Sequence, residues 1–169
     1  MLRKSLFLLL VGMAAAAVFI YSGRYDISAT TPHWKLVKTA ISMTVDRSVK
    51  HHAKGIVAPE LEDTAMVRLG FGHYREMCVE CHGAPGVERS EFAEGLYPKA
   101  PKLKGAADEW TAAELYWMTK NGIKMSGMPA FGKTHSEHEL WAIVAFLKKL
   151  PAMDSSAYAA YTAASPESE

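Results

Sequence analysis

The sequence predicts an all-α protein, and three observations carry this prediction. Two runs of apolar residues at helical spacing each follow a Ser or Thr with a Glu three positions further on, which is the pattern of a helix capping box. A third stretch, between residues 32 and 54, repeats its apolar residues every three or four positions. No stretch alternates apolar and polar residues as a half-buried strand does.

The N-terminus carries two basic residues followed by an uninterrupted apolar run from Leu6 to Tyr21. This run is at the short end for a bilayer span, and we predict a transmembrane anchor over residues 1–24 that contacts the membrane through residues 5–22. The basic start is expected to stay on the cytoplasmic side, which places the chain after Tyr21 outside the cytoplasmic membrane. A cleavable signal peptide is the alternative, because Ala15-Ala16-Ala17 offers a cleavage site. Either interpretation exports the remaining chain.

Residues 25–62 are predicted to be a linker that contains an amphipathic helix. The helix is expected over about 32–54, with Thr31 as its N-cap and Pro32 in its first turn. Its apolar stripe consists of Trp34, Val37, Ile41, Val45 and Val49. Two interpretations stand open, since the stripe can pack on the rest of the chain, or it can lie on a membrane surface or dock to another subunit.

A folded domain is predicted from residue 63 to residue 150. Three helices are expected within it, over residues 63–77, 111–121 and 136–151. Asp63 or Thr64 is expected to cap the first helix, and Gly122 to stop the second.

The segments between and after these helices are predicted to be irregular. Gly and Pro are frequent in the connecting loops, over residues 83–110 and 122–135. The tail, residues 151–169, is rich in Ala and Ser and is predicted to be flexible.

Cys78, Cys81 and His82 form a C-x-x-C-H motif that uses both cysteines of the chain. Two thiols at this spacing can bond covalently to the vinyl groups of a haem while the following imidazole binds the iron. A thioredoxin-like dithiol would require a βαβ surround, and a structural zinc site would require further ligands. The motif therefore predicts one covalent haem c, attached through Cys78 and Cys81, with His82 as an axial ligand.

A second axial ligand is expected on the opposite face of the haem, and Met128 is the preferred candidate. Pro129 disfavours a helical backbone at Met128, which favours an extended loop that can lay the thioether over the ring. Met125 is the alternative ligand in the same loop. The predicted iron ligands are thus His82 and Met128, and a soft, neutral thioether suits an electron carrier more than an oxygen activator.

These motifs resemble the class I c-type cytochromes, and especially their membrane-anchored, single-haem bacterial members. The likeness extends to Gly70 and Tyr74 before the haem motif and to Gly-Met-Pro-Ala-Phe at residues 127–131. In that family such a glycine and aromatic residue cross the last helix, where glycine permits a close backbone approach. The resemblance implies a cytochrome c fold around one haem, preceded here by the anchor and the amphipathic helix.

The resemblance also implies a partner for the outer ring nitrogen of His82. Pro101-Lys102-Leu103 is similar to a Pro-x-Leu element of the family, whose proline carbonyl accepts a hydrogen bond from the haem histidine. Such a bond orients the imidazole and makes it a better donor to iron. Pro101 is the expected acceptor, and Pro98 competes with it because the loop is longer than in the smallest members.

The expected function is one-electron transfer by a His/Met-ligated haem tethered to the outer face of the cytoplasmic membrane, so we expect an electron carrier and not an enzyme. Redox proteins in or near the membrane are its expected partners, and no small-molecule substrate is expected. The net charge of +1 gives no support for nucleic-acid binding.

Two alternative functions stay open at this stage. One is a fixed haem c subunit of a larger respiratory oxidoreductase, whether a dehydrogenase, an oxidase or a reductase. The other is a ligand-binding or peroxidatic haem protein in which Met128 leaves the iron.

The remaining histidines are interpreted as structural or solvated. Three tryptophans are interpreted as packing residues, namely Trp110, Trp117 and Trp141.

Overall fold

The computed structural model describes residues 2–164, and within that range it contains helices and no β-strand. The predicted all-α class is therefore confirmed. The α-helices are α1 (Leu2–Tyr21), α2 (Lys35–His52), α3 (Thr64–His73), α4 (Val79–His82), α5 (Glu91–Glu94), α6 (Leu103–Ala106), α7 (Ala112–Asn121), α8 (Glu137–Lys149) and α9 (Ser155–Ala164). A π-helical segment spans Tyr74–Cys78, and 3₁₀ segments span Ala107–Glu109, Phe131–Lys133 and Leu150–Ala152. The chain divides into two compact units, of which the first ends at Pro32 and the second begins at His33.

Helix α1 belongs to the first unit and is apolar along its length. It is the one described helix that is long and apolar enough to cross a membrane, and none of it is buried by the rest of the chain. A signal sequence near an N-terminus has the same length and composition, so both predicted roles of this segment fit the helix.

Helix α2 begins later than predicted and belongs to the second unit. Thr31 does not cap it, because the Thr31 hydroxyl donates to the carboxylate of Asp26 at 2.7 Å, and the N-cap position falls on Trp34 without a side-chain cap. Only the C-terminal end of the apolar stripe is buried, since Val49 is buried whereas Ile41 is 41% exposed. The C-terminal end of α2 thus packs on the domain that was predicted to begin only at residue 63.

Helices α3 and α8 cross at the centre of the second unit. A Cβ atom at Gly70 would lie 1.8 Å from the carbonyl oxygen of Ala142, so the two backbones meet in a way that only glycine allows. The ring of Tyr74 packs 5.1 Å from that of Phe146. The crossing that the resemblance implies is therefore present. The buried core around it comprises Val67, Phe71, Tyr74, Leu115, Tyr116, Leu140, Trp141, Ile143, Val144, Ala145, Phe146, Leu147, Leu150, Met153 and Tyr158.

The predicted helix caps of this unit are confirmed. The Asp63 carboxylate accepts from the backbone N–H of Met66 at 2.7 Å. Both capping boxes form reciprocally, one at the start of α7 and one at the start of α8. Gly122 ends α7 with a φ of 66°, a left-handed conformation that glycine adopts without strain.

The prediction of a flexible tail from residue 151 is wrong for the part that the structure describes. Asp154 caps α9 by accepting from the backbone N–H of Ala157 at 2.8 Å. The rings of Tyr158 and Tyr161 then pack 5.3 and 5.5 Å from that of Phe71. Alanine favours the helix, and the two tyrosines supply the apolar area that stabilises it. Residues 165–169 lie outside the described residues.

The predicted loops also contain short helical turns. Two of them lie in the first loop, at α5 and at α6 with its following 3₁₀ segment, and one lies at Phe131–Lys133 in the second loop. These turns are too short to show a hydrophobic period in the sequence. They matter because they fix the backbone around the candidate site.

Candidate functional site

The two thiols and the imidazole of the C-x-x-C-H motif lie on a single tight turn. The α3 helix widens into the π-helical segment that ends at Cys78, and α4 carries Cys81 and His82. The hydroxyl of Tyr74, which is buried, donates to the carbonyl of Gly83 at 2.6 Å. Because burial raises the pKa of Tyr74, this hydroxyl stays protonated and remains a donor. The bond closes the turn around the motif.

A second pair of hydrogen bonds holds the same turn to the loop that follows it. The backbone N–H and the hydroxyl of Ser90 both donate to the carbonyl of Glu80, each at 2.9 Å. Gly83, with a φ of 66°, lets the chain reverse directly after His82. The motif is therefore held through two main-chain carbonyls, one at its centre and one directly after His82.

The imidazole of His82 has a defined orientation. Its Nδ1 lies 2.8 Å from the carbonyl oxygen of Pro101. A carbonyl oxygen can only accept, so Nδ1 must carry the proton, and in the neutral ring Nε2 then keeps its lone pair. Pro101, and not Pro98, supplies the carbonyl at this distance. The arrangement presents an unprotonated nitrogen that can bind a metal ion.

The surroundings of His82 favour its neutral form. Burial lowers the pKa of His82, the hydrogen bond to Pro101 opposes this shift, and the positive charge of Arg89 adds to the lowering. The Arg89 side chain is only 12% exposed and donates through Nη1 to the carbonyl of Ala100 at 3.1 Å. A cation is thus held beside the histidine, one residue away from the carbonyl that orients it.

The electrostatics of the cysteines differ from those of a redox-active dithiol. Burial raises the pKa of Cys78 to about 12, and the nearby Cys81 adds to the shift. A catalytic dithiol needs the opposite shift, because its attacking sulfur must be a thiolate near neutral pH. Among the described residues, no group of three or more His, Cys, Asp or Glu side chains is arranged to hold a metal ion. The thioredoxin-like and zinc-site alternatives both find no support here.

Met128 lies in a loop that is closed upon itself. The backbone N–H of Ile123 donates to the carbonyl of Met128 at 3.2 Å, and the N–H of Met128 donates to the hydroxyl of Ser126 at 3.2 Å. A Cβ atom at Gly122 would lie 2.7 Å from the Met128 carbonyl, so glycine is required at the base of the loop. The loop fixes the backbone position from which the Met128 thioether projects.

The two methionines of this loop differ in their surroundings. Met125 is 83% exposed and has a φ of 60°, a conformation typical of a loop tip. Met128 is half-buried. Of the two, Met128 has the partly enclosed environment that a thioether ligand needs, whereas Met125 faces solvent.

The tryptophans take part in contacts between helices. Trp141 is buried and stacks on Tyr116 at 4.1 Å between ring centroids, which joins α7 to α8. Trp117 stacks on His52 at 5.3 Å and joins α7 to α2. Trp110 is partly buried and packs against the core, and its ring centre lies 5.8 Å from the Lys50 ammonium group of α2. These contacts agree with the packing role predicted for all three.

Two features of the site were missed from the sequence. Arg89 stands alone in an irregular loop, and no motif indicates that its side chain turns inward. Tyr158 lies in the tail that was predicted to be flexible, yet it is buried. Burial raises the pKa of its hydroxyl, the positive charge of Arg75 opposes this shift, and the nearby Cys78 adds to it. The approach of α9 to the motif depends on tertiary contacts, and only the spacing of Asp154, Tyr158 and Tyr161 could have suggested it.

One comparison with known proteins finds a match. Residues 65–147 match the family model described as "Cytochrome C oxidase, cbb3-type, subunit III". The matched range begins in α3, ends in α8, and includes the C-x-x-C-H turn, Pro101 and Met128. No curated protein matches the chain.

Proposed function

Because residues 65–147 form a c-type cytochrome domain, we propose that this chain carries single electrons through one haem c with His82 and Met128 as axial ligands. Haem-based electron transfer is the function that such a domain implies. The orientation of His82 carries the finer proposal, since Nδ1 is bonded to the Pro101 carbonyl and Nε2 is left with its lone pair, on the same turn as the two cysteines.

The chemistry of the donor set fits a covalent haem. Two cysteines held on one turn can form thioethers with vinyl groups, and the adjacent imidazole can bind iron. Met128 would supply the second axial ligand from its closed loop. Pro101 would orient the imidazole from behind. When bound, the haem supplies the one-electron chemistry, with its iron alternating between the ferric and ferrous states.

The protein residues around the site would keep its geometry constant and tune its potential. His82 is oriented by one hydrogen bond to a main-chain carbonyl, and the loop of Met128 is closed by two hydrogen bonds within the loop, so the backbone around each ligand is held in place. The neutral thioether of Met128 favours ferrous iron. The cation of Arg89, which is 12% exposed and lies 4.0 Å from the Glu94 carboxylate, acts in the same direction, because a nearby positive charge disfavours the more positive ferric state.

We further propose that α1 tethers the domain to the bacterial cytoplasmic membrane by a single pass, with the haem on the periplasmic side. The length and apolar character of α1 and the basic residues before it support this orientation. Tethering confines the domain to a thin layer in which membrane redox partners lie, and this raises their effective concentration.

Optical spectra of wild type, Met128→Ala and Met125→Ala test the ligand assignment. Each protein is produced with a haem-attachment system, and a denatured haemochrome spectrum reports covalent attachment. We expect all three proteins to hold covalent haem and only Met128→Ala to lose the weak long-wavelength ferric band of methionine ligation. Loss of the band in Met125→Ala instead would reassign the ligand, and absence of covalent haem in wild type would refute the proposal.

A second candidate function is a fixed haem c subunit of a larger oxidoreductase, which the description of the matched family favours. The two functions differ in how the chain behaves in the membrane. Purification from native membranes in mild detergent separates them, because a mobile carrier elutes alone whereas a fixed subunit elutes with stoichiometric partners. A complex that survives a salt wash would favour the second candidate.

A further inference from the structure

Helix α2 is fixed to the haem domain near both of its ends. Before its first turn, the backbone N–H of His33 donates to the hydroxyl of Tyr97 at 2.9 Å, and the two rings pack edge to face at 5.2 Å. At its C-terminal end Val49 is buried and His52 stacks on Trp117. The helix therefore cannot rotate about its own axis without breaking contacts at either end.

The opposite face of α2 points away from these contacts. At about 100° per residue, Leu36, Met43 and Arg47 project on the side away from Val49 and His52, and Lys54 continues that side just beyond the helix. Leu36 is 82% exposed and Met43 is 58% exposed. We call Leu36, Ala40, Met43, Arg47 and Lys54 the outer face of α2. Its first half is apolar and its second half is basic.

The charge of this region is strongly positive. Between residues 33 and 54 the sequence has five Lys or Arg residues and one acid. Lys50 is paired with Asp46 at 2.7 Å, and its ammonium group lies 5.8 Å from the centre of the Trp110 ring, so it belongs to the flank of the helix. Arg47 and Lys54 remain on the outer face with the exposed apolar side chains. A helix that combines apolar and basic residues on one face is suited to the interface of an anionic bilayer.

The covalent connection keeps this face near a membrane. Residues 22–34 join α1 to α2, and an extended chain of that length spans at most about 45 Å. This reach is long enough for α2 to lie on the bilayer surface and short enough to hold it nearby. A soluble protein partner would gain no comparable proximity.

We propose that the outer face of α2 binds anionic lipid headgroups of the membrane that α1 crosses, with Leu36 and Met43 entering the interface and Arg47 and Lys54 contacting phosphate groups. The inference rests on the membrane tether of the proposed function. Because α2 is fixed to the domain at both ends, binding of this face also sets the orientation of the haem relative to the membrane. The helix thus acts as an orienting element, in addition to the anchor.

Site-directed spin labelling of the full-length, haem-loaded chain tests this proposal. A single cysteine is introduced as Met43→Cys, and Ser42→Cys is the matched control, one residue away and about 100° around the helix. Each protein is reconstituted into vesicles of neutral phosphatidylcholine and into vesicles that also contain phosphatidylglycerol. The accessibility of the label to oxygen and to a water-soluble relaxant is then measured.

In the anionic vesicles we expect the label at residue 43 to become several-fold less accessible to the water-soluble relaxant and more accessible to oxygen. The label at residue 42 should stay in water. Equal water accessibility at both positions in anionic vesicles would overturn the proposal. Shielding of residue 43 that persists in detergent without lipid would overturn it as well, because it would indicate a protein partner or a second copy of the chain.

The charge contribution is tested with the Arg47→Gln and Lys54→Gln double variant in the Met43→Cys background. Each basic residue near an anionic surface contributes about fivefold to binding, so the double variant should weaken the bound state about 25-fold and return the label to water. Shielding unchanged by this variant would refute the lipid-phosphate contacts.

Two controls keep this inference separate from the proposed function. The unmutated chain should take up no label, because both native cysteines are consumed by the haem, and labelling there would contradict the haem assignment alone. Flotation of the protein with both vesicle types reports the anchor independently of α2. Suppose that the protein floats with both vesicle types and that the unmutated chain takes up no label. If the label at residue 43 then stays accessible to water, only the role of α2 would be refuted.

Discussion

The close crossing of α3 and α8 makes Gly70→Ala the sharpest test of the fold around the haem motif. The added Cβ would lie 1.8 Å from the carbonyl oxygen of Ala142 and 2.4 Å from its carbonyl carbon. These are backbone atoms in the middle of a buried helix, so no side-chain rotation can relieve the overlap. Gly72→Ala is the matched control on α3, because no atom beyond its chain neighbours and the backbone of its own helix lies within 4 Å of the Cβ that it would add.

The size of the effect follows from these distances. An ordinary contact begins near 3.4 Å, so the helices must separate by about 1.6 Å, the difference between 3.4 and 1.8 Å. A gap of even half that size forfeits a large part of the dispersion energy of neighbouring core side chains such as Phe146. We therefore expect a loss of about 3 kcal/mol or more in the free energy of unfolding, at the upper end of overpacking. Gly72→Ala should gain up to about 1 kcal/mol from helix propensity.

Urea unfolding of both variants and wild type, followed by far-ultraviolet circular dichroism, measures this difference. All three proteins should carry covalent haem, so that haem loading does not differ between them. The urea midpoint should fall for Gly70→Ala with little change in slope, and it should stay or rise for Gly72→Ala. If the two variants were equally stable, α3 and α8 would not approach each other as described.

Three further outcomes are expected from other parts of the second unit. Tyr158→Ala should lower the free energy of unfolding, measured by thermal unfolding, by about 3 kcal/mol. Tyr158→Phe should be neutral or stabilising, because the buried hydroxyl has no hydrogen-bond partner among the described residues. If Tyr158→Ala did not lower the stability, α9 would not pack on the core. Arg89→Gln should lower the reduction potential in a redox titration, because the cation is lost. It should also lower the free energy of unfolding by about 1.5 kcal/mol, because the hydrogen bond to the Ala100 carbonyl is lost. An unchanged potential would contradict the electrostatic role of Arg89. Hydrogen bonds from the Ser136 hydroxyl and backbone lower the pKa of Glu139 below 4.5, so the stabilising effect of its carboxylate is present above pH 4.5 and is lost as the pH falls through the lowered pKa. The melting temperatures of wild type and Glu139→Gln should therefore converge at acid pH. A difference that stays constant with pH would be inconsistent with this assignment.

The parts of the fold that sequence reasoning predicted are those governed by local chemistry. Thr111 and Ser136 cap their helices because a hydroxyl and a glutamate three residues later satisfy each other's backbone groups, whatever the tertiary context. The C-x-x-C-H spacing is similarly local, since one helical turn brings its three side chains together. Gly70 became informative only through the family resemblance, because a glycine inside a helix does not by itself indicate what approaches it.

The parts that were missed depend on tertiary contacts. The spacing of Tyr158 and Tyr161 can suggest a helix in the Ala- and Ser-rich tail, but it does not show that their rings pack on Phe71. Without those contacts the segment would not be held in place. Thr31 was expected to cap α2, but Asp26 competes for its hydroxyl. Arg89 turns inward because the Ala100 carbonyl is available there, which depends on the path of a long loop.

The haem site is held together mainly by hydrogen bonds to main-chain carbonyls. These bonds bear both on what the sequence could predict and on the suitability of the site for electron transfer. Gly83, Glu80, Pro101 and Ala100 each accept a hydrogen bond through backbone oxygen. Every residue has a backbone carbonyl, so residue identity alone does not show which loop residue orients His82. Pro101 is predictable as the acceptor only through the family resemblance. A carbonyl also does not titrate, and these contacts therefore persist when the pH or the charge of a bound iron changes. An electron carrier benefits from such constancy, because a site that keeps the same geometry in both oxidation states has little to reorganise when an electron arrives or leaves.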